Sequence, residues 1–119
     1  MGGKRSAAWL GVVAVCLLLA SRPALTEPLP AVRQQQLLRM LRQDCGSCHG
    51  MTLRGGLGPA LHAEAMRALP HSAIAAVIYH GRPGTPMPPW KTLLSAEEAD
   101  WLAAYLQSDA ALLAKDKTP

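Results

Sequence analysis

Cys45-Gly46-Ser47-Cys48-His49 is the stretch on which the reading of this chain turns. Two cysteines separated by two residues and followed at once by a histidine form the attachment pattern for a c-type haem. The spacing lets both thiols add to the two vinyl groups of one porphyrin, and the next residue then presents an imidazole to the iron. Three other readings of the same cysteines have less support. A thioredoxin-like redox pair needs a strand before it and a βαβ setting, and the sequence has neither. A zinc site needs two further Cys or His ligands at recognisable spacing, whereas His62, His71 and His80 stand singly. A disulfide closing so small a loop would constrain almost nothing. The pattern therefore predicts one haem c held covalently through Cys45 and Cys48, with His49 as a ligand to its iron.

Upstream, residues 1–6 carry Lys4 and Arg5, and residues 7–20 (AAWLGVVAVCLLLA) are uncharged and mostly apolar. This is the arrangement of a secretory signal peptide. The apolar run is shorter than the about 20 residues that a membrane span requires. Residues 1–26 are read as the signal and 27–119 as a single domain exported to the periplasm, without stable membrane insertion once the signal is cut. Ala24-Leu25-Thr26 only approximates a cleavage site, so an uncleaved anchor is the alternative. Cys16 lies within the apolar run behind Val15, which is bulkier than lipid modification accepts. It is read as part of the signal, leaving Cys45 and Cys48 as the domain's two cysteines.

Of the twelve Lys and Arg in the 119-residue chain, Lys4, Arg5 and Arg22 fall in the signal, leaving nine against eight Asp and Glu. The formal +4 thus overstates the charge of the domain. No basic stripe with interleaved aromatics is present, which excludes the footprint of a nucleic-acid binder. With three Trp, two Tyr and no Phe, the chain has few large apolar side chains. Small domains with a thin core commonly rely on a metal, disulfides or a cofactor, and a buried haem would serve.

Downstream of the extended, proline-broken residues 27–30 (EPLP), residues 31–43 place Leu37, Met40 and Leu41 at helical spacing. After the Cys-His stretch, residues 50–59 (GMTLRGGLGP) form a glycine-rich loop of the kind that wraps closely around something. Residues 60–69 can form a short helix ended by Pro70. Residues 71–79 put Ile74, Val77 and Ile78 on one helical face, and Gly81 breaks the pattern. Residues 81–89 (GRPGTPMPP) are too rich in proline for regular structure and predict a stiff loop. Ser95 and Glu98 make a capping box, and Ala99, Leu102, Ala103 and Leu106 follow as the buried stripe of a last helix over residues 96–110. Residues 115–119 read as a frayed tail. No strand pattern or internal repeat appears, so the expected class is all-α, three to five short helices around one haem.

A second axial ligand must come from elsewhere, and the domain offers Met40, Met51, Met66 and Met87. Met51 is too near His49 to reach the opposite face, and Met40 and Met66 lie in helical stretches where a core role is the default. Met87 sits in the stiff proline loop. A thioether is a weak ligand and binds best where the backbone is already positioned. Met87 is therefore the expected ligand, with His80 as the alternative and a gap-filling methionine as the plain reading. Arg82 has the charge to pair with a haem propionate, and Trp90 could pack at the haem edge or donate from its indole nitrogen. A solvated arginine and an ordinary core tryptophan are the competing readings. Trp101 and Tyr105 are read as helix-packing residues, His62 and His71 as exposed ones.

With Gly58-Pro59-Ala60-Leu61 the chain resembles the class I cytochromes c. By that resemblance the Pro59 carbonyl would accept a hydrogen bond from the ligand histidine and fix its tautomer; an ordinary turn is the alternative. Residues 45–59 and 80–90 (HGRPGTPMPPW) further resemble the small periplasmic cytochromes of the NirC type, associated with the haem-d-containing dissimilatory nitrite reductase of denitrifying bacteria. The resemblance implies a monomeric carrier of single electrons between a respiratory donor and nitrite reductase, or a redox role in maturing that reductase's haem. The residues themselves argue against catalysis, since two filled axial positions leave no site for substrate and no acid/base group surrounds the motif. A gas-binding haem protein is the third reading and would require a displaceable Met87.

Overall fold

A computed structural model describes residues 27–108 of the chain, so the signal-peptide reading of residues 1–26 and the tail beyond Ser108 lie outside the described residues. Helix α1 spans Ala31–Met40, runs through one π-helical turn, Leu41–Cys45, and ends as the single turn α2, Gly46–His49. Then come α3 (Ala63–Arg67), α4 (His71–His80) and α5 (Ala96–Gln107). Among the described residues there is no strand, and no helix is long and apolar enough to cross a membrane. The fold is all-α, as its sequence periodicity requires.

The core forms where the apolar stripes of these helices meet. α5 supplies Ala99, Leu102, Ala103 and Leu106, all buried, and packs along α4 and against α3. Leu37 and Leu41 from the first helix, Met66 from α3, Ile74 from α4 and Leu94 complete the cluster. Among the described residues no Trp or Tyr ring is fully enclosed: Trp90, Trp101 and Tyr105 pack on this cluster half-buried, the last two stacked with ring centroids 5.6 Å apart. The structure thus agrees with the thin core expected from composition.

Two polar devices fix the ends of the helices against each other. Ser95 Oγ accepts from the Glu98 amide at 3.2 Å while Glu98 Oε2 accepts from the Ser95 amide at 2.9 Å, the reciprocal capping box that satisfies two otherwise orphaned donors. Arg33 of α1 reaches the same carboxylate with Nε at 2.5 Å and Nη2 at 3.0 Å, tying the first helix to the start of the last. At the other end, Gln107 donates to the carbonyls of Met66 and Leu69, both at 3.0 Å, and so holds α3 and the turn after it onto α5.

Three expectations are corrected. The first helix does not stop near Gln43 but continues to His49, because the Leu41–Cys45 turn widens instead of breaking: the Gly46 amide donates to the Leu41 carbonyl, five residues back. The helix expected over residues 60–69 contracts to Ala63–Arg67, since the Leu61 amide is drawn back to the Leu53 carbonyl and His62 takes the cap position, its Nδ1 accepting from the Ala65 amide. His62 and His71 are half-buried rather than exposed, and each has hydrogen-bond partners.

Candidate functional site

The π turn decides how Cys45, Cys48 and His49 face. One extra residue in a helical turn rotates everything after it by about 100° relative to a regular helix. Beyond it Gly46 and His49 are buried, Cys45 is half-buried and Cys48 is exposed. The two sulfurs are not bonded to each other. Burial and the neighbouring Asp44 push the Cys45 thiol up to about 11, so this sulfur is a thiol at neutral pH until it reacts.

The helix ends at His49, and its orphaned carbonyls dictate the path of the glycine-rich loop. Gly58 N–H donates to the Cys48 carbonyl and Gly55 N–H to the His49 carbonyl, both at 2.8 Å. The loop is therefore folded back over the helix end, and this return brings Gly58 and Pro59 onto the histidine ring. A Cβ on Gly58 would lie 2.7 Å from His49 Cε1 and Nδ1, so no residue with a side chain fits there without moving the ring. The Pro59 carbonyl then lies 2.7 Å from Nδ1. Because a carbonyl can only accept, Nδ1 carries the proton, and the tautomer this selects has its lone pair on Nε2. At 8% exposure, His49 is the buried polar side chain of the described domain, with one nitrogen committed and the other available as a ligand.

The proline loop is fastened just as tightly at the other side of the chain. Gly81, at φ +70, ends α4, and a Cβ there would meet Pro88 C and Pro89 N at 2.7 Å, so the start and the end of the loop touch. Trp90 N–H donates to the Ile78 carbonyl at 3.2 Å and Lys91 N–H to the Tyr79 carbonyl at 3.1 Å, hanging the far end of the loop on α4. Within it, the Met87 carbonyl accepts from Arg82 N–H at 3.2 Å and its amide donates to Thr85 Oγ1 at 3.3 Å. Met87 is half-buried on a backbone held from both directions. Of the other methionines, Met66 is core, Met40 is half-buried against the core and Met51 is exposed. Arg82 is exposed, His80 is exposed with its ring edge-on to Tyr79 at 4.9 Å, and Trp90 packs on the core.

These features fit a covalent haem. Two thiols and an imidazole with a free Nε2 are the donors needed for attachment and for one axial bond. Among the described residues, no three His, Cys, Asp or Glu side chains converge as a metal cage. Leu53, Leu61, Ile78 and Trp90 pack on the core and are half-buried. Two features escape a reading of the sequence. The π turn has no propensity signal, and the cluster of His71, Asp100 and Gln107 joins residues from two helices that periodicity cannot pair.

Comparison with known proteins agrees with this geometry. Residues 33–106 match the family described as cytochrome C oxidase, cbb3-type, subunit III. Cytochrome c55X of Pseudomonas aeruginosa is 54% identical over 85 residues, covering 71% of this chain and 71% of the relative. The solved structure of a c-type cytochrome NirC superposes with a TM-score of 0.67 at 54% identity, covering 69% of this chain and 96% of that one. A dihydro-haem d1 dehydrogenase of Pseudomonas aeruginosa is 42% identical over 67 residues, covering 56% of this chain but 14% of the enzyme. By fold, motif and likeness, the chain belongs to the class I c-type cytochromes, within the c55X and NirC group, a family whose haem c is bound covalently through Cys-x-x-Cys-His.

Proposed function

We propose that this chain is a periplasmic carrier of single electrons in the dissimilatory nitrite reductase system. Cys45 and Cys48 would hold the haem as thioethers, and His49 Nε2 and Met87 Sδ would hold its iron. When bound, the haem supplies a one-electron ferric/ferrous couple. The chain's own residues keep that couple closed and stiff. Pro59 holds His49 in the tautomer that points its lone pair away from the loop, and Gly58 walls the ring. The Arg82 and Thr85 bonds hold the backbone of Met87, so a weak thioether ligand need not be ordered on binding. Arg82 would pair with a propionate and Trp90 would flank the haem edge. With His49 and Met87 both holding the iron, no ligand position would be left for a substrate, and the chemistry the bound haem would supply is electron exchange. Residues 1–26 would be removed on export, leaving 27–119 as a monomeric domain.

The observation that carries this reading is the buried His49, proton fixed on Nδ1 by the Pro59 carbonyl, immediately after two thiols. The link to nitrite reduction rests on the NirC and c55X likeness. A Met87→Ala variant tests the ligand assignment: the weak near-infrared band of Met-to-iron charge transfer should be present in the oxidised wild type and absent from the variant. Persistence of the band in the variant refutes Met87. Rapid binding of carbon monoxide by the reduced wild type at neutral pH would contradict the carrier reading in favour of a gas-binding one. The likeness to a dihydro-haem d1 dehydrogenase favours one second reading, a redox role in haem maturation. Deleting the gene separates the two: nitrite reductase that keeps its full haem content but loses its electron supply supports the carrier.

A further inference from the structure

Pro83, Pro86, Pro88 and Pro89 have no N–H to give, so few backbone groups can hold the chain around Met87. Met87 stands between two of these prolines, and its own amide is the one backbone donor of residues 86–89. That amide donates to Thr85 Oγ1 at 3.3 Å. The same hydroxyl gives its proton to the Arg82 carbonyl at 2.7 Å, which leaves its lone pairs for the Met87 amide. Arg82 N–H in turn donates to the Met87 carbonyl at 3.2 Å. The three bonds close a ring from Met87 through Thr85 and Arg82 back to Met87, and the Thr85 hydroxyl is its one side-chain member. Thr85 is itself well fixed. It precedes Pro86, which confines its backbone to the extended region, its Cβ branch restricts χ1, and its amide donates to the Arg82 carbonyl at 3.1 Å. The hydroxyl is therefore aimed before Met87 engages anything.

We propose that Thr85 is the positioning residue of the Met87 ligand, and that its hydroxyl sets how readily an external ligand takes the place of Met87. The inference rests on the reading of Met87 as a ligand and adds what keeps it in place. A thioether holds iron weakly, so its grip depends on how much loop order has to be gained along with it. With the ring closed, the Met87 backbone is presented whether or not its sulfur is engaged. Without the hydroxyl, the Met87 amide has only water to donate to, and the order of the loop must be supplied by the bond from sulfur to iron. An incoming imidazole then competes against a weaker hold. Thr85 and its bonds are exposed, so the effect belongs at the low end for hydrogen bonds and leaves the core intact.

The test is a titration of the oxidised, haem-loaded protein with imidazole at neutral pH, followed by the loss of the near-infrared Met-to-iron band. Thr85→Val keeps the shape and removes the hydroxyl. It should lower the apparent dissociation constant of imidazole by about fivefold, the worth of two exposed hydrogen bonds. Thr85→Ser restores the hydroxyl on a less restricted side chain and should stay within about twofold of the wild type. Thr92→Val, at an exposed threonine beyond the loop, is the control and should change nothing. A wild type that shows the band while Thr85→Val binds imidazole with wild-type affinity overturns the inference and leaves Met87 standing as the ligand. A Thr85→Val protein with a lower denaturation midpoint but unchanged imidazole affinity overturns it too, because the hydroxyl then serves stability and not the ligand. Equal gains in affinity for Thr85→Val and Thr85→Ser count against it as well, since the hydroxyl is then not the acting group. A wild type without the band overturns the Met87 reading and the inference together.

Discussion

Replacing Gly58 by alanine puts the arrangement around His49 to its most direct test. The obstacle is space alone, since Gly58 is not among the glycines at positive φ. The added methyl would start 2.7 Å from Cε1 and Nδ1, where ordinary van der Waals contact begins at 3.4 Å, so ring and loop must separate by about 0.7 Å. If the ring retreats, the Nδ1 to Pro59 distance of 2.7 Å opens to about 3.4 Å, beyond hydrogen-bond range. If the loop retreats, the 2.8 Å bond from Gly58 to the Cys48 carbonyl is stretched instead. Either way about 1 kcal/mol of hydrogen bonding is lost, and the crowding adds about 1–3 kcal/mol. A total of about 2–4 kcal/mol should lower the guanidinium midpoint of the haem-loaded protein by roughly 1 M. Histidine ring proton shifts and the reduction potential should move together with stability. Gly84→Ala is the comparison: nothing lies within 4 Å, but φ is +76, so it should cost about 1 kcal/mol and leave the haem spectra untouched. Equal midpoints and unchanged ring shifts for Gly58→Ala would refute the claim that this glycine walls the histidine.

The other expectations concern the two polar clusters that hold the helices. His71 Nε2 lies 2.7 Å from Asp100 Oδ1 and Nδ1 lies 3.2 Å from Gln107 Oε1, and since both partners accept, the imidazolium satisfies both. Asp100 first, then Gln107, raises the His71 pKa above 6.5, so its stabilisation is complete below that value and is lost as pH rises through the folded-state value. The pair is surface-placed, so the loss should be about 0.5 kcal/mol, read as a fall in the denaturation midpoint that Asp100→Asn abolishes. Glu98→Ala removes half of the capping box and the partner of Arg33 together, and should cost about 1–3 kcal/mol, more than Arg33→Ala, by chemical denaturation at neutral pH. Arg33 holds the Glu98 carboxyl below its ordinary value, so this contribution is present above pH 4.5 and declines as pH falls through the folded-state value. An acid titration of wild type against Glu98→Gln should isolate it.

How much of this molecule is legible in its sequence depends on whether a feature is local. The capping box at Ser95 and the stripe from Ala99 to Leu106 are both fixed by neighbours within two turns, and both appear in the structure as read. The end of the first helix departs from its sequence reading because two competing signals meet there. Gly46 weakens a helix, which argues for a stop near Gln43, but the tertiary need to bury Leu41 and His49 on one side of the chain is met by widening the turn instead. For the site, the Cys-x-x-Cys-His stretch is visible as a string. The Pro59 bond follows only from resemblance, because it depends on the loop folding back through Gly55 and Gly58, which no spacing rule encodes. The histidines show the limit most plainly. His62 and His71 look alike as isolated polar residues in a line of text, yet one caps α3 through a bond three residues away, whereas the other joins α4 to α5 across 29 and 36 residues. The same difference separates the two halves of the site. His49 is held by groups within ten residues of itself, on the loop that follows it. Met87 is held by its own loop and by α4, so its backbone is fixed independently of His49. If His49 and Met87 together hold the iron, as proposed, two independently fastened loops would change little when an electron arrives, and that stiffness would suit a carrier better than a site built to open.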